Sequence, residues 1–146
     1  MIIELFTSKN GLDELSIKGG VYYVELKKKG MQQTISLYIG ESGCMVKRCG
    51  EHLCKLLKDE RYFGLLPEDL ENNDLILCFS VLESIKKERV GRRDLYYESV
   101  ENKWKEKKNE TNRSPLTQHK TNDNMIKRDK RVKVVQCEMR NLGFKV

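Results

Sequence analysis

Residues 20–26, Gly-Val-Tyr-Tyr-Val-Glu-Leu, gather β-branched and aromatic side chains behind Gly19 and Gly20, a composition that predicts a strand. Residues 34–39 predict its partner. The polar connection 27–33 contains Gly30 and suits the loop of an antiparallel hairpin. Side chains alternate along a strand, so Tyr22 shares a face with Val24 and Leu26, while Tyr23 points the other way. The hairpin therefore brings one of these two tyrosines beside Tyr38. Residues 1–6 predict a short leading strand and residues 75–82 a further one.

Helical spacing takes over at residues 42–58, where Val46, Gly50, Leu53 and Leu57 predict a buried stripe and Ser42 an N-cap. Arg48 and His52 are four positions apart and stand one above the other on a neighbouring face. In residues 89–108, Tyr96, Val100 and Trp104 recur every four positions and predict a second helix with its own stripe. Glu101 lies about 60° from Trp104 and about 100° from Val100, flanking that stripe, whereas Glu98 falls about 200° from Val100. Residues 58–74, with Gly64 and Pro67, predict an irregular excursion with a short helix. Beyond Pro115 the chain is polar until 131–139, where Val132, Val134 and Val135 predict a late strand. Residues 117–129 are expected to be mobile until a substrate binds. The fold class is a small mixed α/β domain, its mainly antiparallel central sheet flanked by helices, and 146 residues suit one such domain.

A net charge of +6 favours a polyanionic partner. Its distribution says more. Basic residues cluster at Lys103, Lys105, Lys107, Lys108 and Arg113, and again at Lys127, Arg128, Lys130, Arg131 and Lys133. The five cysteines are odd in number and lack C-x-x-C spacing, which predicts free thiols in a reducing cytoplasm. Cys49 and His52, three positions apart, form the one pair readable as thiol nucleophile and base or as metal ligands. Glycine-rich dinucleotide and Walker patterns are absent. Neither a signal peptide nor a membrane-spanning apolar run is present, so no membrane partner is expected.

The chemistry concentrates in Gly20-Val21-Tyr22, in Tyr38-Ile39-Gly40 sixteen residues further on, and in Arg48 and His52. Ser42 and Gly43 stand where a strand must give way to a helix. An arginine can clamp a phosphate and balance developing charge. A histidine can relay a proton near neutral pH. In this order and spacing the residues resemble the signature of the GIY-YIG nucleases, which hydrolyse DNA phosphodiesters with one divalent metal. The resemblance spans roughly residues 20–118 and is most specific between Gly20 and His52.

That resemblance implies a GIY-YIG-like fold over residues 1–118, with 119–146 as a basic, DNA-contacting extension of the same compact unit. It selects Tyr22 as the partner of Tyr38 and as general base. Its phenol, ordinarily near pKa ~10, would be lowered by Arg48 and the metal. Tyr38 and His52 would orient water or phosphate. A carboxylate on the third helix would hold one Mg²⁺ or Mn²⁺. Val100-Glu101-Asn102-Lys103-Trp104 is similar to the family's apolar-Glu-x-x-apolar pattern, so Glu101 is chosen, with Glu98 as the alternative. Two departures stand out. Pro115-Leu116-Thr117-Gln118 carries glutamine where relatives have asparagine, with Asn112 as a substitute, and Glu41 stands where some relatives have lysine. DNA contacts are expected from Lys47, Lys103, Lys107, Lys108, Arg113, Gln118, Lys127, Arg128, Lys130 and Arg131. The implied function is a cytoplasmic, metal-dependent DNA endonuclease of restriction or phage type. The alternative is a catalytically impaired DNA-binding module on the same scaffold.

Overall fold

The computed structural model describes residues 1–59, 61–85, 100–107 and 125–144. The strands are β1 (Ile2–Leu5), β2 (Thr7–Ser8), β3 (Gly11–Leu12), β4 (Gly20–Lys28), β5 (Thr34–Ser42) and β6 (Leu75–Ser84). The helices are α1 (Met45–Lys58), α2 (Pro67–Glu71), α3 (residues 100–107) and α4 (Met125–Asn141). The main sheet has the order β1-β6-β4-β5. Its β1 runs parallel to β6, and the other neighbours are antiparallel. β2 and β3 pair separately.

β4 has a strand on each side and apolar cover on both faces, which is why it reads as an almost unbroken apolar run. Tyr22, Val24 and Leu26 join the main core with Leu37, Phe79, the α1 residues Met45 and Cys49, and Val135 and Met139 of α4. On the opposite face, Val21, Tyr23, Ile39 and Ile85 cluster with Val100, and Trp104 packs against them.

Strict alternation along β5 would put Leu37 and Tyr38 on opposite faces. The structure departs from it. Val24 pairs with Tyr38 but Glu25 pairs with Ser36, so Leu37 is an extra residue in the ladder. This bulge switches the parity of β5. Ile35 and Leu37 enter the main core, Tyr38 packs against the same core, and Ile39 turns to the other face.

Three expectations are corrected. The buried stripe of α1 is Met45, Cys49, His52 and Leu56, while Leu57 is 79% exposed and Val46 and Leu53 lie at the margin. The helix is rotated because Cys49 and His52 face the phenols of the sheet. Its N-cap is Cys44, and Ser42 instead braces the preceding turn, its Oγ accepting from Cys44 N at 3.1 Å and donating to Cys44 O at 2.9 Å. Finally, residues 131–139 are helical. Val135 and Met139, four apart, bury together while Val134 stays exposed, which is helical rather than strand periodicity. Gln136 fastens α4 to the 3₁₀ turn Tyr62–Gly64, its Nε2 donating to Gly64 O at 3.0 Å and to the buried Asp69 carboxylate at 2.9 Å. Of the 117–129 segment expected to be mobile, 117–124 lie outside the described residues and 125–129 belong to α4. Among the described residues no helix is long and apolar enough to cross a membrane.

Candidate active site

Tyr22 and Gly40 are paired across β4 and β5, and the tyrosine ring lies over the glycine. A Cβ at position 40 would sit 2.3 Å from the Tyr22 hydroxyl oxygen and 2.6 Å from Tyr38 Cε1. Gly20 is constrained similarly, since a Cβ there would lie 2.2 Å from Glu83 O on β6. Gly40 thus seats a tyrosine side chain, and Gly20 marks a close backbone approach.

The Tyr22 hydroxyl lies 2.7 Å from His52 Nε2. The other ring nitrogen, Nδ1, lies 2.5 Å from the Tyr62 hydroxyl. His52 is completely buried, so this polar ring is admitted to the helix stripe by the phenols that meet it. Tyr38 closes the group, its ring edge-on to His52 at 5.3 Å and 6.1 Å from Tyr22. Phe63 packs against both, 5.5 Å from His52 and 6.0 Å from Tyr38. Sequence reasoning missed Tyr62. Its one signal was the adjacent aromatic pair Tyr62-Phe63 inside an excursion read as irregular. Phe63 takes a left-handed conformation, φ 58°, which turns the chain sharply there.

Burial, reinforced by Tyr38 and Cys49, pushes the Tyr22 phenol far above its ordinary value, with Arg48 acting in the opposite sense. Tyr38 is raised by burial and by the Glu101 carboxylate, again against Arg48. Burial pushes Tyr62 up to about 12, opposed by Arg48 and Arg131. The sequence-based expectation of a lowered Tyr22 phenol is thus reversed in the protein alone, because desolvation outweighs one guanidinium.

Arg48 is half-buried beside this cluster and donates to Glu51 Oε2 at 2.8 Å. Glu101 stands at the margin on α3, close enough for its charge to act on Tyr38, and is paired with Lys105 at 2.5 Å. Trp104 anchors α3 by donating from Nε1 to Glu83 Oε2 at 2.9 Å. The structure therefore brings Tyr22, Tyr38 and His52 together, puts Arg48 and Glu101 within electrostatic range of Tyr38, and adds Tyr62.

The basic residues divide. Lys47 is exposed next to Arg48, Lys130 is exposed, and half-buried Arg131 lies near Tyr62. Lys103 is 3.7 Å from Glu83, and the Lys107 ammonium sits 4.8 Å over the Trp104 ring. Glu98, Lys108, Arg113 and Gln118 lie outside the described residues, as do the side chains of Lys127 and Arg128.

Among the described residues, no three His, Cys, Asp or Glu side chains converge on a metal position. A caged ion thus has no donor set among the described residues, whereas an ion of the Mg²⁺ type, which keeps most of its waters, would ask this chain for as little as one carboxylate.

Burial pushes the Cys49 thiol well above its usual range, which removes the thiolate that nucleophilic chemistry needs. Brief iodoacetamide treatment at neutral pH should modify exposed Cys54 and Cys137 and spare buried Cys49. Peptide mass spectrometry finding Cys49 alkylated first would revive the thiol reading. No protein-family model, curated protein or solved structure matches this chain.

Proposed function

We propose that this protein is a divalent-metal-dependent DNA endonuclease that hydrolyses phosphodiesters through a GIY-YIG-type site. One observation carries the reading: the Tyr22 phenol is held 2.7 Å from Nε2 of a fully buried histidine, over a glycine that leaves room for it. Core packing alone calls for neither that polar pair nor the guanidinium and carboxylate at its edge.

Burial keeps Tyr22 protonated, so the phenol works by exchange rather than as a standing phenolate. Its oxygen accepts the proton of the attacking water while its own proton passes to Nε2, leaving neutral tyrosine and imidazolium. The water oxygen bonds to phosphorus, the bond to the 3′ oxygen breaks, and that oxygen is protonated from solvent. Arg48 balances the charge that develops on the phosphorane-like transition state. Tyr38 orients the water or a phosphate oxygen. Glu101 would hold a divalent ion, which when bound would supply Lewis-acid polarisation of the phosphate and stabilisation of the leaving oxygen. Lys47, Lys130 and Arg131 meet the DNA backbone, and a cytoplasmic role in restriction is the proposed setting.

The Glu101–Lys105 ion pair favours one second reading, a DNA-binding module without catalysis, because an ammonium already occupies the carboxylate a metal would use. Supercoiled plasmid separates the two. Nicking is expected with Mg²⁺ or Mn²⁺, none with excess chelator, and Tyr22→Phe should cut about 10²–10⁴-fold more slowly. Binding without nicking in any divalent metal would establish the second reading.

A further inference from the structure

We infer that Tyr62 is a positioning residue that holds the proton of neutral His52 on Nδ1, leaving Nε2 bare toward Tyr22. The choice of this tautomer over the reverse one rests on the nuclease reading, and the proton's position is measured without any appeal to cleavage.

A neutral imidazole has one N–H donor and one bare acceptor nitrogen, and the partner of either nitrogen sets the tautomer. Here each nitrogen faces a phenol oxygen, Nε2 that of Tyr22 at 2.7 Å and Nδ1 that of Tyr62 at 2.5 Å. A phenol can donate or accept, so two arrangements satisfy the distances. In one, Tyr22 donates to Nε2 and Nδ1–H donates to Tyr62. In the other, Tyr62 donates to Nδ1 and Nε2–H donates to Tyr22. Only the first lets Tyr22 shed a proton to the histidine, because in the second Nε2 has no lone pair available. The same arrangement suits the product of the transfer. Imidazolium carries two N–H groups, one donating to the Tyr22 oxygen and the other to the Tyr62 oxygen. A buried cation without such acceptors would be severely penalised.

The position of the Tyr62 hydroxyl comes from the tertiary fold rather than from the helix bearing His52. Tyr62 packs at a tilt against Phe63, 4.6 Å between centroids. Phe63 is wedged between His52 and Tyr38 and also meets Phe79 at 6.5 Å. The turn they occupy is tied to α4 through the Gln136 bond to Gly64 O. Nδ1 therefore meets an oxygen whose location is set independently of the proton it accepts.

Nitrogen-15 NMR on histidine-labelled protein reads the tautomer directly. The chain has two histidines, His52 and His119, and His119→Gln leaves one set of signals to assign. The expected result in the unliganded protein is a protonated Nδ1 and a bare Nε2. Tyr62→Phe keeps the ring and its packing, and should move the proton wholly or partly to Nε2. It should also lower kcat for plasmid nicking roughly tenfold to a hundredfold, as loss of an orienting partner does elsewhere, with KM for DNA unchanged. A protonated Nε2 in the parent protein, or a tautomer indifferent to Tyr62→Phe, overturns the inference. If Tyr62→Phe does not fold, the parent tautomer alone decides. Failure of the parent protein to cut DNA would defeat the nuclease reading and leave the NMR result standing.

Discussion

Gly40→Ala is expected to destabilise the protein by about 1–3 kcal/mol, the usual range for overpacking a tight site, and to reduce nicking to the level of Tyr22→Phe. The added methyl would meet the Tyr22 hydroxyl oxygen at 2.3 Å, its ring carbon Cζ at 2.4 Å and the Tyr38 ring at 2.6 Å. All three lie inside van der Waals contact. Two of these atoms belong to Tyr22, which is 1% exposed, so that ring has no open space into which it can swing. Relief requires either separating β4 from β5 or tilting Tyr22. The first breaks ladder hydrogen bonds, and the second takes the hydroxyl away from Nε2, to which it is bonded at 2.7 Å. Urea denaturation reads the stability term and plasmid nicking the functional one. An alanine variant with unchanged midpoint and rate would mean that the position of Tyr22 over β5 is immaterial.

Glu101→Ala should abolish cleavage, by on the order of 10³-fold or more, while DNA binding without metal persists or tightens. The two halves have one cause. A carboxylate beside a phosphate is repulsive and becomes useful only through a cation, so its removal would delete the proposed metal site and a source of repulsion together. The ammonium of Lys105, at 2.5 Å from Glu101, is released at the same time and becomes available to the DNA. Stability should change little, since an i,i+4 helix pair contributes about 0.3–0.5 kcal/mol. Fluorescence anisotropy with chelator and nicking with Mg²⁺ measure the two sides. Cleavage at the parent rate would send the metal to another carboxylate, for which Glu98 is the sequence's own alternative.

The elements that position the site differ in how openly the chain declares them. The β4–β5 hairpin was legible because two apolar segments flank a polar, glycine-containing loop. That Tyr38 shares the Tyr22 side of the sheet depends on the extra residue Leu37, and a bulge has no local composition that announces it. In α1 two adjacent stripes compete. Val46, Leu53 and Leu57 are the more hydrophobic set, yet Met45, Cys49, His52 and Leu56 are buried. Hydrophobic periodicity undervalues a histidine whose polarity is met by phenols from other parts of the chain. The segment Val132-Lys133-Val134-Val135 reads as strand by β-propensity, and tertiary burial of Val135 with Met139 overrides it. Tyr62 was illegible for a related reason. It lies ten residues beyond His52 along the chain, and it reaches the ring only because the turn at Phe63 folds back under α4.

The dependence of that turn on α4 has a consequence for synthesis. A ribosome delivers the β4–β5 hairpin and α1 early, so Tyr22 and His52 can meet while much of the chain is still to come. The Tyr62–Gly64 turn follows soon after, but α4, which braces it, lies downstream of every other described element. β1 likewise waits some seventy residues for its parallel partner β6, a long loop to close before the sheet is complete. A nascent chain therefore carries the recognisable tripeptides long before it carries a finished site. For the proposed nuclease this ordering acts as a delay, keeping the chain inert toward DNA until α4 has been made.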